Sequence, residues 1–468
     1  MKCRVTGINP VLPGKEYVPD GEPHVFGDRL YLFGSHDRFN GTGYCQEPYV
    51  GWSAPLCDLA DWKCEGVILE KGQDPLDQNG DKAYYAPDVA QGPDGKYYLY
   101  YSIEESNVIS VAVCDEPAGH YHFLDHVHDE NGHILGSKES DSAQFDPAVL
   151  VEGEKIYLYS GQDFPVPGFD AGRAKGALVC QLAKDMVTAI TPQKVITSAT
   201  ENCFSQNPFF EASSIRKFGD TYYFIYSALP NTHTLCYATS EYPDKDFQYK
   251  GILISNADIS AENPETMNYW GNNHGSLVCI NDKYYVFYHR QTNKSGWCRQ
   301  ACAEQISMKS DGSFEQCAMT TSGLRGGIEA NEGVIPCSSA CHLKKKELAA
   351  FQPFQFIEFD ENDPFYTQEQ NTEIPYIANM RNQSLADYRY IHFEKNEYTI
   401  SLTYRGKANG KIIVSSLLTG KILSDINIYP TSEWTEVKSD VQVMEEVDGI
   451  RFTYVGEGAV DLLEFQFE

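Results

Sequence analysis

Five ionisable side chains occur at one equivalent position of a repeated sequence pattern. They are Asp20, Asp88, Asp146, Glu211 and His274. Each of them precedes a strand-like tyrosine of the repeat by ten to twelve residues. Strands disfavour Asp, and a buried carboxylate is costly unless it is paired or used. Any one of these residues could be an ordinary turn or edge residue, but five in one phase indicate a shared site.

Carboxyl groups brought together in this way could cleave a glycosidic bond. An inverting glycosidase uses one carboxylic acid to protonate the leaving oxygen, and a carboxylate roughly 6.5–9.5 Å away to activate a water molecule. A third carboxylate nearby would raise the pKa of the acid by like-charge repulsion and keep it protonated near neutrality. Carboxyls that face each other across a funnel would satisfy this geometry.

The repeat itself predicts the elements that position these groups. Five segments begin with a Gly, Asp or Asn turn and continue as an aromatic or β-branched run, which suits a tight hairpin and a buried strand. The segments are 27–35, 94–102, 153–161, 219–227 and 281–289. Repeated small antiparallel sheets close radially, because closure protects their edges. An all-β fold with a five-bladed β-propeller at residues 1–327 is therefore expected.

A second all-β unit is predicted after the repeat ends. Residues 328–345 contain turn residues and a short basic run, and we interpret them as a linker. Residues 346–468 contain short alternating strands separated by turns, which is typical of a β-sandwich of the jelly-roll type.

Composition limits the partners of the chain. Lys and Arg total 37 against 66 Asp and Glu, for a formal net charge of −29 in 468 residues. Such a surface repels nucleic acid and anionic membranes, whereas a neutral oligosaccharide remains a suitable partner. The start of the sequence has no signal-peptide pattern, so a cytoplasmic location is expected. The 14 cysteines form no CxxC pair and are interpreted as reduced thiols. A homo-oligomer remains open.

Five stretches of the sequence resemble glycoside hydrolase family 43. They are VPDGEPHVFGDRLYLFGSHD, YAPDVAQGPDGKYYLYYS, QFDPAVLVEGEKIYLYSG, FFEASSIRKFGDTYYFIYS and NHGSLVCINDKYYVFYHR. The resemblance implies a five-bladed propeller and a reaction that inverts the anomeric centre. It also implies that Asp20 is the general base, that Glu211 is the general acid, and that Asp146 tunes the pKa of the acid.

The same resemblance suggests further site residues. His274 would lie near the propeller axis, where it could bind calcium through water. Arg290, in the motif YHR, would reach the floor of the substrate site. Tyr85 replaces the Trp that many relatives carry before Ala-Pro, and its ring could stack on a sugar. Phe33 is a fourth candidate for substrate binding.

Activities within this family include β-xylosidases, α-L-arabinofuranosidases and arabinanases. Insertions between blades, such as residues 37–80, could restrict the pocket to chain ends. We therefore expect an exo-acting enzyme on xylose- or arabinose-containing oligosaccharides, with no cofactor required for the chemistry. Two alternatives are a non-catalytic sugar-binding propeller and a retaining fructosidase. The fructosidase would carry an Asn-Asp-Pro-Asn motif, whereas this chain has VPDGEP and QFDP.

The C-terminal region resembles carbohydrate-binding module family 6 more weakly. The stretches PFQFIEFDE and AVDLLEFQFE imply that Glu358 and Asp461 could bind a structural calcium. Tyr388 and Trp434 are either sugar-stacking or core aromatics. The histidine-rich segment 120–133 could bind a metal, although a solvated loop between blades is the favoured interpretation.

Overall fold

The computed structural model describes residues 4–163, 176–197, 204–229, 231, 233–345, 359–369 and 374–468. The described residues form strands and turns with two short 3₁₀ helices, Gly323–Arg325 and Cys337–Ser339. Five sheets of mostly antiparallel strands follow one another along the chain, and two further sheets form a C-terminal sandwich. The predicted all-β class, with a propeller and a sandwich, is confirmed. No helix in these ranges is both long and apolar enough to cross a membrane.

Blades 1 and 2 are four-stranded sheets in simple sequential order. Their strands are β1 (Glu22–Phe26), β2 (Arg29–Phe33), β3 (Tyr49–Pro55), β4 (Lys63–Leu69), β5 (Asp88–Gln91), β6 (Tyr97–Tyr101), β7 (Ser110–Cys114) and β8 (His122–His126). A two-residue turn joins β1 to β2, and Gly27 in that turn has a φ of 63°. Such turns favour glycine because the left-handed region is open to it.

Blade 3 has six strands, blade 4 has four and blade 5 has three within the described residues. Blade 3 contains β9 (His128–Asp129), β10 (Ala148–Glu152), β11 (Lys155–Gln162), β12 (Gly176–Leu182), β13 (Thr188–Ala189) and β14 (Lys194–Thr197). Blades 4 and 5 contain β15 (Phe209–Phe218), β16 (Thr221–Ala228), β17 (Thr234–Ser240), β18 (Gln248–Ser255), β19 (Leu277–Ile280), β20 (Lys283–Thr292) and β21 (Ser295–Ile306). Aromatic and aliphatic side chains fill the spaces between neighbouring blades.

The C-terminal sandwich consists of two sheets of six strands each. Its strands are β22 (Ile328–Glu329), β23 (Ile335–Pro336), β24 (His342–Lys344), β25 (Phe365–Gln368), β26 (Pro375–Met380), β27 (Leu385–Phe393), β28 (Asn396–Gly406), β29 (Asn409–Ser416), β30 (Ile422–Ile428), β31 (Thr431–Val443), β32 (Val447–Glu457) and β33 (Val460–Phe467). One sheet has the order β22-β27-β32-β29-β30 with β24 beside β27, and the other has the order β25-β26-β33-β28-β31 with β23 beside β33.

The linker prediction for residues 328–345 is corrected by this pairing. Strands β22 and β24 pair with β27, and β23 pairs with β33, so the segment belongs to both sheets of the sandwich. Ile328, Ile335 and Leu343 lie in the sandwich core. The strands are only two or three residues long, which is why they show no alternating pattern in the sequence.

The start of the chain connects the two ends of the propeller ring. The side-chain amide of Asn9 donates to the carbonyl of Ala303 at 3.1 Å, and Val11 N–H donates to the carbonyl of Ala301 at 3.0 Å. These contacts place residues 9–11 along β21 of blade 5. The preceding residue Val5 packs in the sandwich core, so this short segment holds both units.

Candidate active site

Two of the predicted site residues stand at sharp backbone turns just ahead of the inner strands. Asp20 precedes β1 with a φ of 58°, and Asp146 precedes β10 with a φ of 43°. Glu211 lies near the start of β15, and the next residue, Ala212, has a φ of 67° where the pairing with β16 shifts register. A left-handed conformation costs energy in residues other than glycine. Such outliers cluster at functional sites, where they aim side chains that a regular strand would turn away.

These three carboxyl groups line one cavity of about 300 Å³. The cavity is lined by Asp20, Tyr44, Cys45, Tyr85, Ala86, Phe145, Asp146, Glu211, Asn272, His274 and Arg299. The chain therefore brings together, from three different blades, the three carboxyls that the sequence pattern singled out.

Asp20 is held as a carboxylate. Its Oδ1 accepts a hydrogen bond from Arg299 Nη1 at 2.9 Å, and His289 Nδ1 lies 3.3 Å from the same oxygen. Burial alone would raise the pKa of Asp20, but the Arg299 guanidinium and the neighbouring histidines outweigh it and hold the pKa well below its ordinary value. An ionised carboxylate in this position is suited to act as a general base.

Glu211 and Asp146 have the opposite electrostatic character. Burial is the main cause that raises the pKa of Glu211 to about 7, with a further contribution from the charge of Asp20. Burial and the charges of Glu211 and Asp20 also raise the pKa of Asp146 well above its ordinary value. Gln162 Nε2 donates to Glu211 Oε2 at 2.8 Å, and Ala212 N–H donates to Asp146 Oδ2 at 3.0 Å. The pair therefore retains a proton near neutrality.

Arg299 is a site residue that the sequence reasoning missed. Asp37 fixes its guanidinium: Arg299 Nε donates to Asp37 Oδ2 at 2.8 Å, and Nη2 donates to Oδ1 at 3.0 Å. Both side chains are at most 4% exposed. This bidentate pair orients Nη1 of Arg299 towards Asp20. Asp37 therefore helps, through Arg299, to keep Asp20 ionised.

The prediction for Arg290 is corrected. Its Nε and Nη2 atoms donate to Gln300 Oε1 at 3.2 and 2.9 Å, and its guanidinium lies 3.9 Å from the ring centroid of Tyr366. In the β20–β21 ladder Gln291 is opposite Arg299, whereas Arg290 is opposite Gln300. Because side chains alternate along a strand, Arg290 and Arg299 project from opposite faces, and Arg290 contacts the sandwich instead of the cavity.

The prediction for Phe33 is corrected as well. Its side chain is fully buried in the core between blades 1 and 2, where its ring stacks with Tyr31. Tyr85 does line the cavity, and its ring packs edge-on against Phe145 at a centroid distance of 5.4 Å. An aromatic wall is thus available to a sugar ring at Tyr85.

His274 lines the cavity between two of the carboxyls. Its Nδ1 atom lies 3.7 Å from Asp146 Oδ2 and 4.0 Å from Asp20 Oδ1. Burial lowers the pKa of His274 to about 4, although the charge of Asp20 opposes this, so the imidazole is neutral at ordinary pH. A neutral imidazole could hold a calcium-bound water, and the metal role of His274 stays a prediction.

Asp88 belongs to a neighbouring cluster and not to the cavity lining. The ligand atoms of Glu22, His24 and Asp88 all lie within 4.8 Å of one another. His24 Nε2 is 2.6 Å from Asp88 Oδ1, and Arg216 Nη2 donates to Glu22 Oε2 at 2.6 Å. The guanidinium already compensates the carboxylate charge of this cluster.

The predicted calcium site of the sandwich receives little support. Asp461 Oδ1 accepts the N–H of Asn379 at 2.9 Å, and Oδ2 lies 3.3 Å from Arg405 Nε. A guanidinium at this carboxylate competes with a metal cation for its charge. Glu358, the second predicted ligand, lies outside the described residues.

The remaining sequence candidates are explained by packing. Tyr388 is fully buried in the sandwich core, whereas Trp434 is half-buried, with Arg405 stacked 4.2 Å from its ring centroid. In the histidine-rich segment, His126 pairs with Asp74 at 3.1 Å and His133 pairs with Asp141 at 2.9 Å, each through its Nε2. These separate partners favour the loop interpretation. The cysteines of the described residues are free thiols.

Comparisons with known proteins agree with this geometry. The family model for glycosyl hydrolases family 43 matches residues 8–314. A xylosidase/arabinosidase of Thermoclostridium stercorarium is 42% identical over 471 residues, and the match covers 98% of each chain. A xylosidase/arabinosidase of Bacteroides ovatus is 26% identical over 64% of this chain and 95% of its own.

Solved structures extend the likeness to three dimensions. A family 43 arabinoxylan arabinofuranohydrolase from Bacillus subtilis, in complex with cellotetraose, has a TM-score of 0.53 at 21% identity and covers 98% of this chain and 97% of its own. A family 43 β-xylosidase/α-arabinofuranosidase from a compost metagenome was solved with xylotriose in a calcium-free form. It has a TM-score of 0.52 at 25% identity and covers 68% of this chain and 98% of its own.

Proposed function

The chain belongs to glycosyl hydrolases family 43 and is a glycosidase, and from this premise we propose that it releases terminal xylose or arabinose from oligosaccharides with inversion of the anomeric centre. The observation that carries the proposal is that Asp20, bonded to Arg299, and Glu211, bonded to Gln162, line one cavity. The relatives named xylosidase/arabinosidase support the choice of sugar.

In the proposed reaction, Asp20 removes a proton from a water molecule that attacks the anomeric carbon. Glu211 donates its proton to the glycosidic oxygen as the bond from that oxygen to the anomeric carbon breaks. One proton enters the protein at Asp20 and one leaves it at Glu211, so exchange with solvent restores both groups. The charge of Glu211 raises the pKa of Asp146, so the two carboxyls disfavour a second charge and together hold a proton near neutrality.

Action at chain ends follows from how the cavity is enclosed. The segment between β2 and β3 places Tyr44 and Cys45 in the wall, and Tyr85 and Phe145 contribute another part of it. A cavity of about 300 Å³ with carboxyls at its base suits a terminal sugar residue better than the middle of a polymer. A neutral oligosaccharide is also compatible with the acidic composition of the chain.

No cofactor is needed in this proposal, because a water molecule and two carboxyls move every proton of the reaction. A calcium ion near His274, which the family resemblance implies, would have a structural role. Thermal unfolding measured with calcium and with a chelator tests this role: a rise in the unfolding temperature with calcium supports it, and identical curves contradict it.

Glu211→Gln is the decisive variant. With an unactivated xylo- or arabino-oligosaccharide we expect kcat/KM to fall by roughly 10²- to 10⁴-fold, the usual contribution of a general acid. An aryl glycoside with a good leaving group should be affected less. Glu154→Gln, at an exposed turn of blade 3, is the matched control and should retain activity.

The configuration of the product and the presence or absence of hydrolysis distinguish this proposal from the two alternative functions. NMR of the first-formed anomer should show inversion, whereas retention would favour the fructosidase-type mechanism. A chain that binds oligosaccharides but hydrolyses none of them would be a non-catalytic sugar-binding propeller. Unchanged hydrolysis by Glu211→Gln would exclude Glu211 as the acid.

A further inference from the structure

The hairpin of β20 and β21 carries an aromatic residue above the cavity. Its two-residue turn, Asn293–Lys294, has φ values of 54° and 51°, as a type I′ turn requires. Trp297 lies on β21 between this turn and Arg299, in a stretch where the pairing with β20 shifts register. Arg299 reaches Asp20 at the base of the cavity, and Trp297 is two residues closer to the turn, which places it on the rim side of Arg299.

The ring of Trp297 is held in place by two contacts. Its indole N–H donates to the carbonyl of Gly41 at 3.0 Å, and its ring meets Tyr44 at a centroid distance of 5.8 Å and an angle of 76°. Tyr44 itself lines the cavity, and the Arg299 guanidinium lies 5.0 Å from its ring centroid. Trp297, Tyr44 and Arg299 thus form one continuous wall that leads from the rim to the base.

Trp297 also exposes apolar surface although its polar atom is satisfied. It is 37% exposed, unlike the aromatic residues of the blade cores, which are nearly all buried. An indole whose N–H is already bonded offers a solvent-facing ring with no hydrogen-bonding need of its own. A flat, oriented aromatic surface is suited to pack against the apolar face of a sugar ring.

We infer that Trp297 is a specificity-determining platform for the sugar residue on the leaving-group side of the scissile bond. The inference rests on the proposed function, in which the terminal sugar occupies the cavity between Asp20 and Glu211. The rest of the oligosaccharide then has to leave the cavity past its rim, where Trp297 lies.

The sandwich supports the hairpin that carries this residue. Asn293 N–H donates to the carbonyl of Tyr366 at 2.7 Å, and Thr367 Oγ1 donates to Asn293 Oδ1 at 3.2 Å. Lys294 Nζ donates to the carbonyl of Asp360 at 2.9 Å. The C-terminal unit therefore contributes to the leaving-group side by fixing the turn, and it need not bind sugar itself.

The test compares Trp297→Ala with Trp297→Phe on two readouts. For xylobiose and xylotriose, or the matching arabino-oligosaccharides, Trp297→Ala should lower kcat/KM roughly threefold to tenfold, and Trp297→Phe should recover most of the loss. The inhibition constant of free xylose or arabinose, which occupies only the cavity, should stay unchanged. Tyr242→Ala removes an exposed aromatic ring from the outer part of blade 4 and should behave as wild type on both readouts.

The inference is overturned if Trp297→Ala leaves kcat/KM for the oligosaccharides unchanged. It is also overturned if kcat/KM and the inhibition by the monosaccharide weaken in parallel, because Trp297 would then act on the terminal sugar or on the fold. Wild-type protein that hydrolyses no oligosaccharide would contradict the proposed function instead, so the two failures are distinct.

Discussion

The hydrogen bond from Gln162 to Glu211 provides a direct way to move the pH dependence of the reaction. Gln162 Nε2 donates to Glu211 Oε2 at 2.8 Å, and this donor stabilises the carboxylate more than the carboxylic acid. Gln162→Met keeps the length of the side chain and removes the donor. The pKa of Glu211 should therefore rise above its value of about 7.

The size of the rise follows from the strength of such a bond. A hydrogen bond to a charged group contributes about 1.5–3 kcal/mol, and one pKa unit corresponds to about 1.36 kcal/mol. The expected shift is therefore about one to two units upward. Since Glu211 must be protonated to act as the acid, the alkaline limb of kcat/KM should move to higher pH by the same amount. The low pKa of Asp20 keeps that carboxylate ionised above pH 4, so the acidic side of the profile should not change.

The assay is kcat/KM for an unactivated oligosaccharide between pH 4 and pH 10, because this parameter reports on the free enzyme. Gln248→Met, at an exposed position of β18, is the matched control and should reproduce the wild-type profile. An alkaline limb that stays in place or moves to lower pH in Gln162→Met would refute the assignment of this limb to Glu211.

Two further predictions concern the contact between the propeller and the sandwich. His342 Nε2 lies 2.7 Å from Asp258, and His342 Nδ1 lies 2.7 Å from Asp387. Burial lowers the pKa of His342, but the bonds to the two carboxylates outweigh it and raise the pKa. The stability that these bonds contribute is complete below the unfolded pKa of about 6.5 and is lost as pH rises through the folded pKa. Thermal unfolding from pH 6 to pH 9 should show this loss in the wild type but not in His342→Gln, and equal slopes for both would contradict it. Arg290→Met should lower the free energy of unfolding by about 1–3 kcal/mol because its hydrogen bonds are lost, but it should leave kcat/KM within about twofold of wild type. Denaturant unfolding measures the first effect, and initial rates measure the second. A loss of activity without a loss of stability would show that Arg290 belongs to the substrate site.

The predicted residues that do line one cavity are those whose positions are determined by local signals. Turn residues and aromatic runs mark the inner hairpins, and Asp20, Asp146 and Glu211 lie eleven or twelve residues upstream of the repeated tyrosine. Asp88 has the same phase, yet it lies within β5 itself and pairs with His24. The phase of a repeat places a residue near the axis, but it does not decide which way the side chain points.

Residues whose orientation depends on pairing across strands were predicted less well. Arg290 and Arg299 are close in sequence, and only the register of β20 against β21 shows which of them faces the cavity. Asp37 could not be connected to Arg299 because 262 residues separate them. The short strands of residues 328–344 could not be predicted from the sequence either, because they are defined by their partners in β27 and β33.

The contact of residues 9–11 with blade 5, which closes the propeller ring, has a consequence for how the chain is made. Asn9 and Ala303 are bonded although they are 294 positions apart in the sequence, and Val5 packs into a core built from the C-terminal strands. During synthesis Val5 and Asn9 therefore have none of these partners until the last blade and the sandwich have left the ribosome. Contacts of such long sequence separation slow folding and expose apolar surface in the meantime. A partly synthesised chain would have an open side between its first and fourth blades, where chaperones or aggregation compete with completion.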